Sequence, residues 1–135
     1  EAILFYKKHF FQINHLKILS LLNPLLLSKN LKKIRIYYDL PILLFKNQFD
    51  IIHCHFGFNG KKVADAFEYD MCGHAKAIVS FHGSDLTPSK IDYYKILYKG
   101  VFKYFKAYTV NSLYLQNILL EVNPAIKNYH LLVIF

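Results

Sequence analysis

The segment FHGSDLT (residues 81–87) brings an imidazole, a glycine and a carboxylate into close succession as His82, Gly83 and Asp85. An imidazole beside a carboxylate can hold sugar hydroxyls or move a proton near neutral pH. Gly83 allows a ligand to approach the backbone, or allows an unusual backbone angle. The competing reading is local: Ser84 or Asp85 forms a turn and His82 is a loop residue. A second cluster, His53-Cys54-His55, runs into GFNG at residues 57–60. Side chains alternate along a strand, so His53 and His55 share one face and Cys54 takes the other. His53 then reads as a hydrogen-bonded core histidine, and His55, nearer the strand end, as the site candidate. A metal reading would join these histidines to Cys72 and His74, but no CxxC or HExxH spacing supports it. A Cys–His nucleophile built on Cys54 conflicts with the alternation.

Gly57, Asn59 and Gly60 read as a glycine turn opening a helix. Backbone N–H groups at such an opening favour an anion such as phosphate. The spacing is neither a Walker loop nor GxGxxG, and a plain turn competes with the ligand loop. Asn111-Ser112 ends a third apolar run. Ser112 can cap the following helix, and capping is compatible with ligand binding at the same terminus.

These residues need a frame that brings them together. Asp50 to Phe56, Lys76 to Phe81, Ala107 to Val110 and Tyr129 to Phe135 read as strands. Between them lie helical patterns. The first runs from about Asn59 to Cys72, with Val63, Ala64, Phe67 and Met71 on one face and Gly73 as its stop. The second follows Thr87-Pro88, a cap and first-turn proline, and carries the stripe Ile91, Tyr94, Leu97, Tyr98, Val101, Phe102 and Phe105. The third starts at Ser112, with Leu115, Ile118, Leu119 and Val122 on one face, and closes before Pro124. Alternating strands and helices predict right-handed crossovers and a mostly parallel α/β sheet. The strands read as continuous apolar runs sandwiched between helices. In such a sheet His55, His82 and Asn111 all reach one edge, where open α/β sheets bind ligands.

The 135 residues suffice for one domain, and a hydrophobic fraction of 54% argues against disorder. Two cysteines are no disulfide framework, which fits a cytoplasmic address. The apolar stretch Leu16–Leu27 is interrupted by Ser20, Asn23 and Pro24 and is too short to span a membrane. The formal charge of +8 is uneven: residues 1–46 carry eight Lys/Arg against two acids, and residues 47–135 carry nine against seven. Residues 1–47 therefore read as a basic amphipathic helical region of the same domain, with Asn23-Pro24 as a cap and Pro41 ending the helix of Lys32, Lys33 and Arg35. Lysines alternating with Leu, Ile and Phe favour an anionic membrane surface over nucleic acid. A solvated helix face is the plain alternative.

FDIIHCHFGFNG, AIVSFHGSDLT, AYTVNSLYLQNIL and YHLLVIF, in that order, resemble the N-terminal domain of family-4 glycosyltransferases. These are retaining enzymes of the GT-B fold, and the likeness is closest to bacterial members that build exopolysaccharide, such as colanic acid glycosyltransferases. It covers residues 45–135; residues 1–45 match only in style. The resemblance implies a Rossmann-like acceptor-side domain at residues 48–135, truncated at both ends relative to the family pattern and inactive alone. It implies transfer of a sugar from a nucleotide-sugar to a glycan or lipid-linked acceptor, on the inner face of the cytoplasmic membrane, with no metal cofactor. His82 matches the histidine that reaches the donor sugar. His55, Gly57, Asn59 and Gly60 match a loop lining the cleft, and Asn111 and Ser112 match a third loop. Two other classes stay open: a non-catalytic membrane- or partner-binding module, and a metal-dependent hydrolase using His53, His55 and His74.

Overall fold

The computed structural model describes residues 2–23, 25, 27–45, 49–128 and 130–134. Its centre is a four-stranded, all-parallel sheet in sequential order: β1 (Ile51–His55), β2 (Lys76–Phe81), β3 (Ala107–Val110) and β4 (His130–Val133). Helices connect the strands: α4 (Gly57–Glu68), α5 (Ile91–Leu97) with α6 (Lys99–Tyr104), and α7 (Leu113–Val122). The chain is thus α/β and Rossmann-like, as the strand–helix alternation predicts. β2 and β3 have the bounds read from the sequence, while β1 is shorter by a residue at each end. The expected ends of the fourth strand, Tyr129 and Phe135, lie outside the described residues, as does Pro24 of the Asn23-Pro24 cap.

The two sheet faces differ sharply. Cys54, Ala77, Val79, Phe81, Tyr108 and Val110 are buried on the face that α4–α7 cover. The other face presents Ile51, His53, His55, Lys76 and Leu132, all exposed, with Ser80 and Thr109 between them. β1, β2 and β3 are therefore not uniformly apolar: His53, His55, Lys76, Ser80 and Thr109 share the open face. Right-handed crossovers between sequential neighbours place successive helices on one side, which explains the asymmetry.

Helix packing is close enough to specify glycines. A Cβ on Gly57 would lie 2.5 Å from Phe81 and 2.6 Å from Tyr98, and one on Gly60 would lie 3.2 Å from Val79. The GFNG segment is consequently not a turn before the helix. Both glycines belong to α4, which begins two residues earlier than its polar pattern suggests. It also ends earlier. Asp70 takes φ 55°, Met71 N–H donates to Ala66 O and Asp70 N–H to Phe67 O, so the helix closes in a Schellman arrangement before Gly73. The long stripe after Pro88 is buried as expected but is split at Tyr98 into α5 and α6. Thr87 does not cap it: its hydroxyl meets Tyr94 Oη at 3.3 Å. Ser112 does cap α7, accepting from Leu115 N–H. Burial of a ring such as Phe81 contributes about 1.5–3 kcal/mol.

The N-terminal region forms α1 (Ala2–Lys8), α2 (His15–Ser20) and α3 (Leu27–Asp39), and Pro41 follows α3 and opens a 3-10 turn. Asn30 is buried and donates to Leu21 O and Asn23 O, pinning the turn between α2 and α3. Ile13 bridges Phe45, and α3 packs on α4, so this region lies beside the β1 edge. Among the described residues no helix is long and apolar enough to cross a membrane.

Candidate functional site

Parallel strands deliver their ends to one edge. His55 closes β1, His82 follows β2, and Asn111 follows Val110, which pairs with Phe81 beside His82. The two imidazoles meet: His55 Nδ1 and His82 Nε2 are 3.2 Å apart, with ring centroids 5.4 Å apart and planes nearly parallel. Both are exposed. One nitrogen carries the proton and the other accepts it. Each ring keeps its second nitrogen for a ligand, so the pair can offer an acceptor and a donor to adjacent hydroxyls.

The aromatic row extends on both sides. His53 lies 4.7 Å from His55, and Phe56 lies 4.6 Å from His82, centroid to centroid. His53 Nε2 bonds Ser80 Oγ at 2.7 Å, and Ser80 Oγ bonds Thr109 Oγ1 at 2.6 Å. This polar chain crosses three strands on the face away from α4–α7. His53 is not a core histidine. It is hydrogen-bonded but exposed, because its face of the sheet is not covered by the crossover helices. Partial removal from water, and then His55 and His82, hold its pKa below the ordinary histidine value.

Asp85 has a different place from the one its sequence position suggests. It is fully buried, and its carboxylate accepts from Gly57 N–H (2.5 Å), His82 N–H (2.9 Å) and Gly83 N–H (3.1 Å). It ties the start of α4 to the loop after β2. Tyr98 Oη donates to Asp85 O at 2.8 Å, and burial pushes the Tyr98 phenol strongly upward in pKa, so it remains a donor. Asp85 is therefore a positioning residue for His82 rather than a proton carrier in the cleft. Gly83 takes φ +104°, which lets the loop turn over the carboxylate.

Asn59 Nδ2 donates to His55 O at 2.8 Å and fixes the end of β1. Gly57 and Gly60 face the core rather than the edge, and their role is close helix–sheet packing. Ser112 is occupied as a helix cap, while Asn111 is exposed at the edge. Next to His55 opens a cavity of about 490 Å³, a size that accommodates a small ligand. Leu40, Leu43 and Phe49 give it apolar walls, and His55, Asn59 and Lys62 add polar groups.

Phe56, Ser80 and Thr109 escape the sequence reading. Phe56 holds φ 70°, a region costly for a side-chain-bearing residue, and such strain clusters at sites. The period-2 alternation of KAIVSF and AYTV would have placed Ser80 and Thr109 on the His53 face.

The other chemistries find no assembly. His74 pairs with Asp50 at 3.0 Å, at the opposite end of β1 from His55. Among the described residues no three metal-capable side chains gather. Cys54 and Cys72 are free and buried, and burial pushes their thiols up to about 11 and about 12, so neither is an activated nucleophile. Comparison with protein-family models, curated proteins and solved structures returns no match for this chain.

Proposed function

We propose that this chain is the acceptor-side unit of a retaining glycosyltransferase of hexosyltransferase type. It would serve transfer of a sugar from a nucleotide-sugar to a glycan or lipid-linked acceptor in bacterial surface-polysaccharide synthesis. The observation that carries the reading is the His55–His82 pair at the C-terminal edge of a parallel sheet, beside a cavity. Paired imidazoles on a rigid edge can bracket the hydroxyls of a sugar ring. Asp85 and Asn59 hold the two loops, so the geometry is set before a ligand arrives. The nucleotide-sugar is a co-substrate, and these residues orient sugar hydroxyls around the reacting centre. The order of the four sequence motifs supports the same class.

The test is a His82→Ala substitution in the enzyme carrying this unit. Turnover should fall by about two orders of magnitude or more, with the thermal midpoint unchanged. Turnover like the parent's would remove His82 from the site and the reading with it.

A peripheral membrane role is favoured by one further observation. Phe11, Leu16, Leu19, Leu22 and Leu25 are all at least 60% exposed, and the segment follows the exposed Lys7 and Lys8. An apolar, cationic segment of this kind suits the anionic inner face of the cytoplasmic membrane. As a non-catalytic module the chain would keep this membrane binding while binding no sugar.

A further inference from the structure

A second cavity, about 470 Å³, lies between α3 and α4. Lys32 and Arg35 line it from α3, Lys61 and Lys62 from α4, with Phe58 and Tyr69 as apolar walls. Asp39 and Asp65 also reach it, so four cations face two carboxylates. Asp65 is held by Lys61 at 2.7 Å. Among the described residues Lys32, Arg35 and Lys62 have no carboxylate in ion-pair range, and Lys32 Nζ lies 5.9 Å from the Tyr69 ring. Cations gathered from two helices raise the local positive potential and attract an anion. A guanidinium and ammonium groups lining one groove match the charge of phosphate oxygens, and the guanidinium can meet them in a fork.

We infer that the α3–α4 groove is a binding site for a phosphate or diphosphate group carried by a larger ligand. The groove shares Asp39, Leu40 and Lys62 with the apolar cavity beside His55, so the two form one continuous surface. A ligand with an anionic head in the α3–α4 groove can therefore extend its uncharged part toward the histidine pair. Phosphate is the shared chemistry of a soluble phosphorylated molecule and a phospholipid head group. The inference needs neither His55 nor His82, and its readout is binding alone, so it can fail while the sugar-handling reading stands.

The experiment titrates the chain with inorganic pyrophosphate by calorimetry, and in parallel with phosphatidic acid vesicles against pure phosphatidylcholine vesicles. Three variants are compared with the parent: Lys32→Glu/Arg35→Glu, Lys62→Glu, and a control pair Lys99→Glu/Lys106→Glu on the exposed surface near α6. The α3 pair and Lys62→Glu should each weaken binding by about tenfold or more, as expected when charge-assisted contacts are lost. The control, with the same charge change as the α3 pair, should weaken it by less than about twofold. Loss confined to pyrophosphate identifies a soluble ligand, loss confined to vesicles a lipid head group, and loss in both a site blind to the carrier. All three support the groove. No binding by the parent in either arm, or an equal loss in the control, would overturn it. Circular dichroism melts of each variant establish that the fold is kept.

Discussion

Removing the Asp85 carboxylate should loosen the site more than any surface change. The group is fully buried and accepts three backbone N–H groups, one from Gly57 and two from the His82–Gly83 loop. In Asp85→Ala all three donors lose their partner. Water can reach His82 but not the buried Gly57 amide. A hydrogen bond to a charged acceptor is worth about 1.5–3 kcal/mol, and a buried unsatisfied donor costs about 1–3 kcal/mol. Allowing for rehydration of the loop, the total is about 3–5 kcal/mol, a large part of a domain's net stability. At about 3–5 °C per kcal/mol for a chain of this size, the thermal midpoint should drop by about 9–25 °C. Asp85→Asn should be intermediate. Its oxygen can still serve His82 and Gly83, but its amide group would confront the Gly57 N–H. Chemical denaturation gives the free energies, and amide hydrogen exchange should quicken at Gly57, His82 and Gly83. If Asp85→Ala stays within about 1 kcal/mol of the parent, the clamp does not hold the loops and the positioning argument fails.

Other substitutions separate the remaining forces. Gly57→Ala forces a methyl against Phe81 and Tyr98 and should cost at least about 1–3 kcal/mol, whereas Gly60→Ala, with 3.2 Å to Val79, should cost less; equal losses in denaturation would contradict the packing model. His53 should titrate below 6.5 in an NMR pH series. Because its folded pKa is lowered, the folded state binds fewer protons. Its contribution to stability is complete above the unfolded value and is lost as pH falls from there through the folded value. A midpoint above 6.5 would contradict the placement of His53 beside His55 and His82. Replacing Phe11 and Leu25 together by Ser should reduce sedimentation with anionic vesicles, and an unchanged bound fraction would detach that segment from membrane binding.

Much of the frame was legible because its signals are local and agree with one another. The bounds of β2 and β3, the Ser112 cap and the buried stripe of α7 all follow from short-range patterns that tertiary packing reinforces. The rest depends on contacts between residues distant in sequence. Gly57 and Gly60 read locally as a turn, plain or ligand-binding, but their need arises from Phe81, Tyr98 and Val79, residues distant in sequence. α4 ends before the stop that Gly73 suggests because Asp70, not a glycine, takes the left-handed position. Asp85 reads as a partner of His82 or a turn former, and sequence spacing cannot say that its side chain turns inward. His53 reads as a core residue from its strand alone because the one-sided covering of the sheet depends on strand order, and only the topology fixes that order.

His55 and His82 are proposed to act as one ligand-binding pair. Long-range proton–nitrogen correlation of the imidazoles reports this directly during titration with an oligosaccharide acceptor and nucleotide-sugars. The expected result is a saturable shift of the His55 and His82 ring nitrogens, a smaller one at His53, and none at His74, which lies with Asp50 at the far end of β1. Silent His55 and His82 resonances at saturating sugar, or equal shifts at His74, would contradict it.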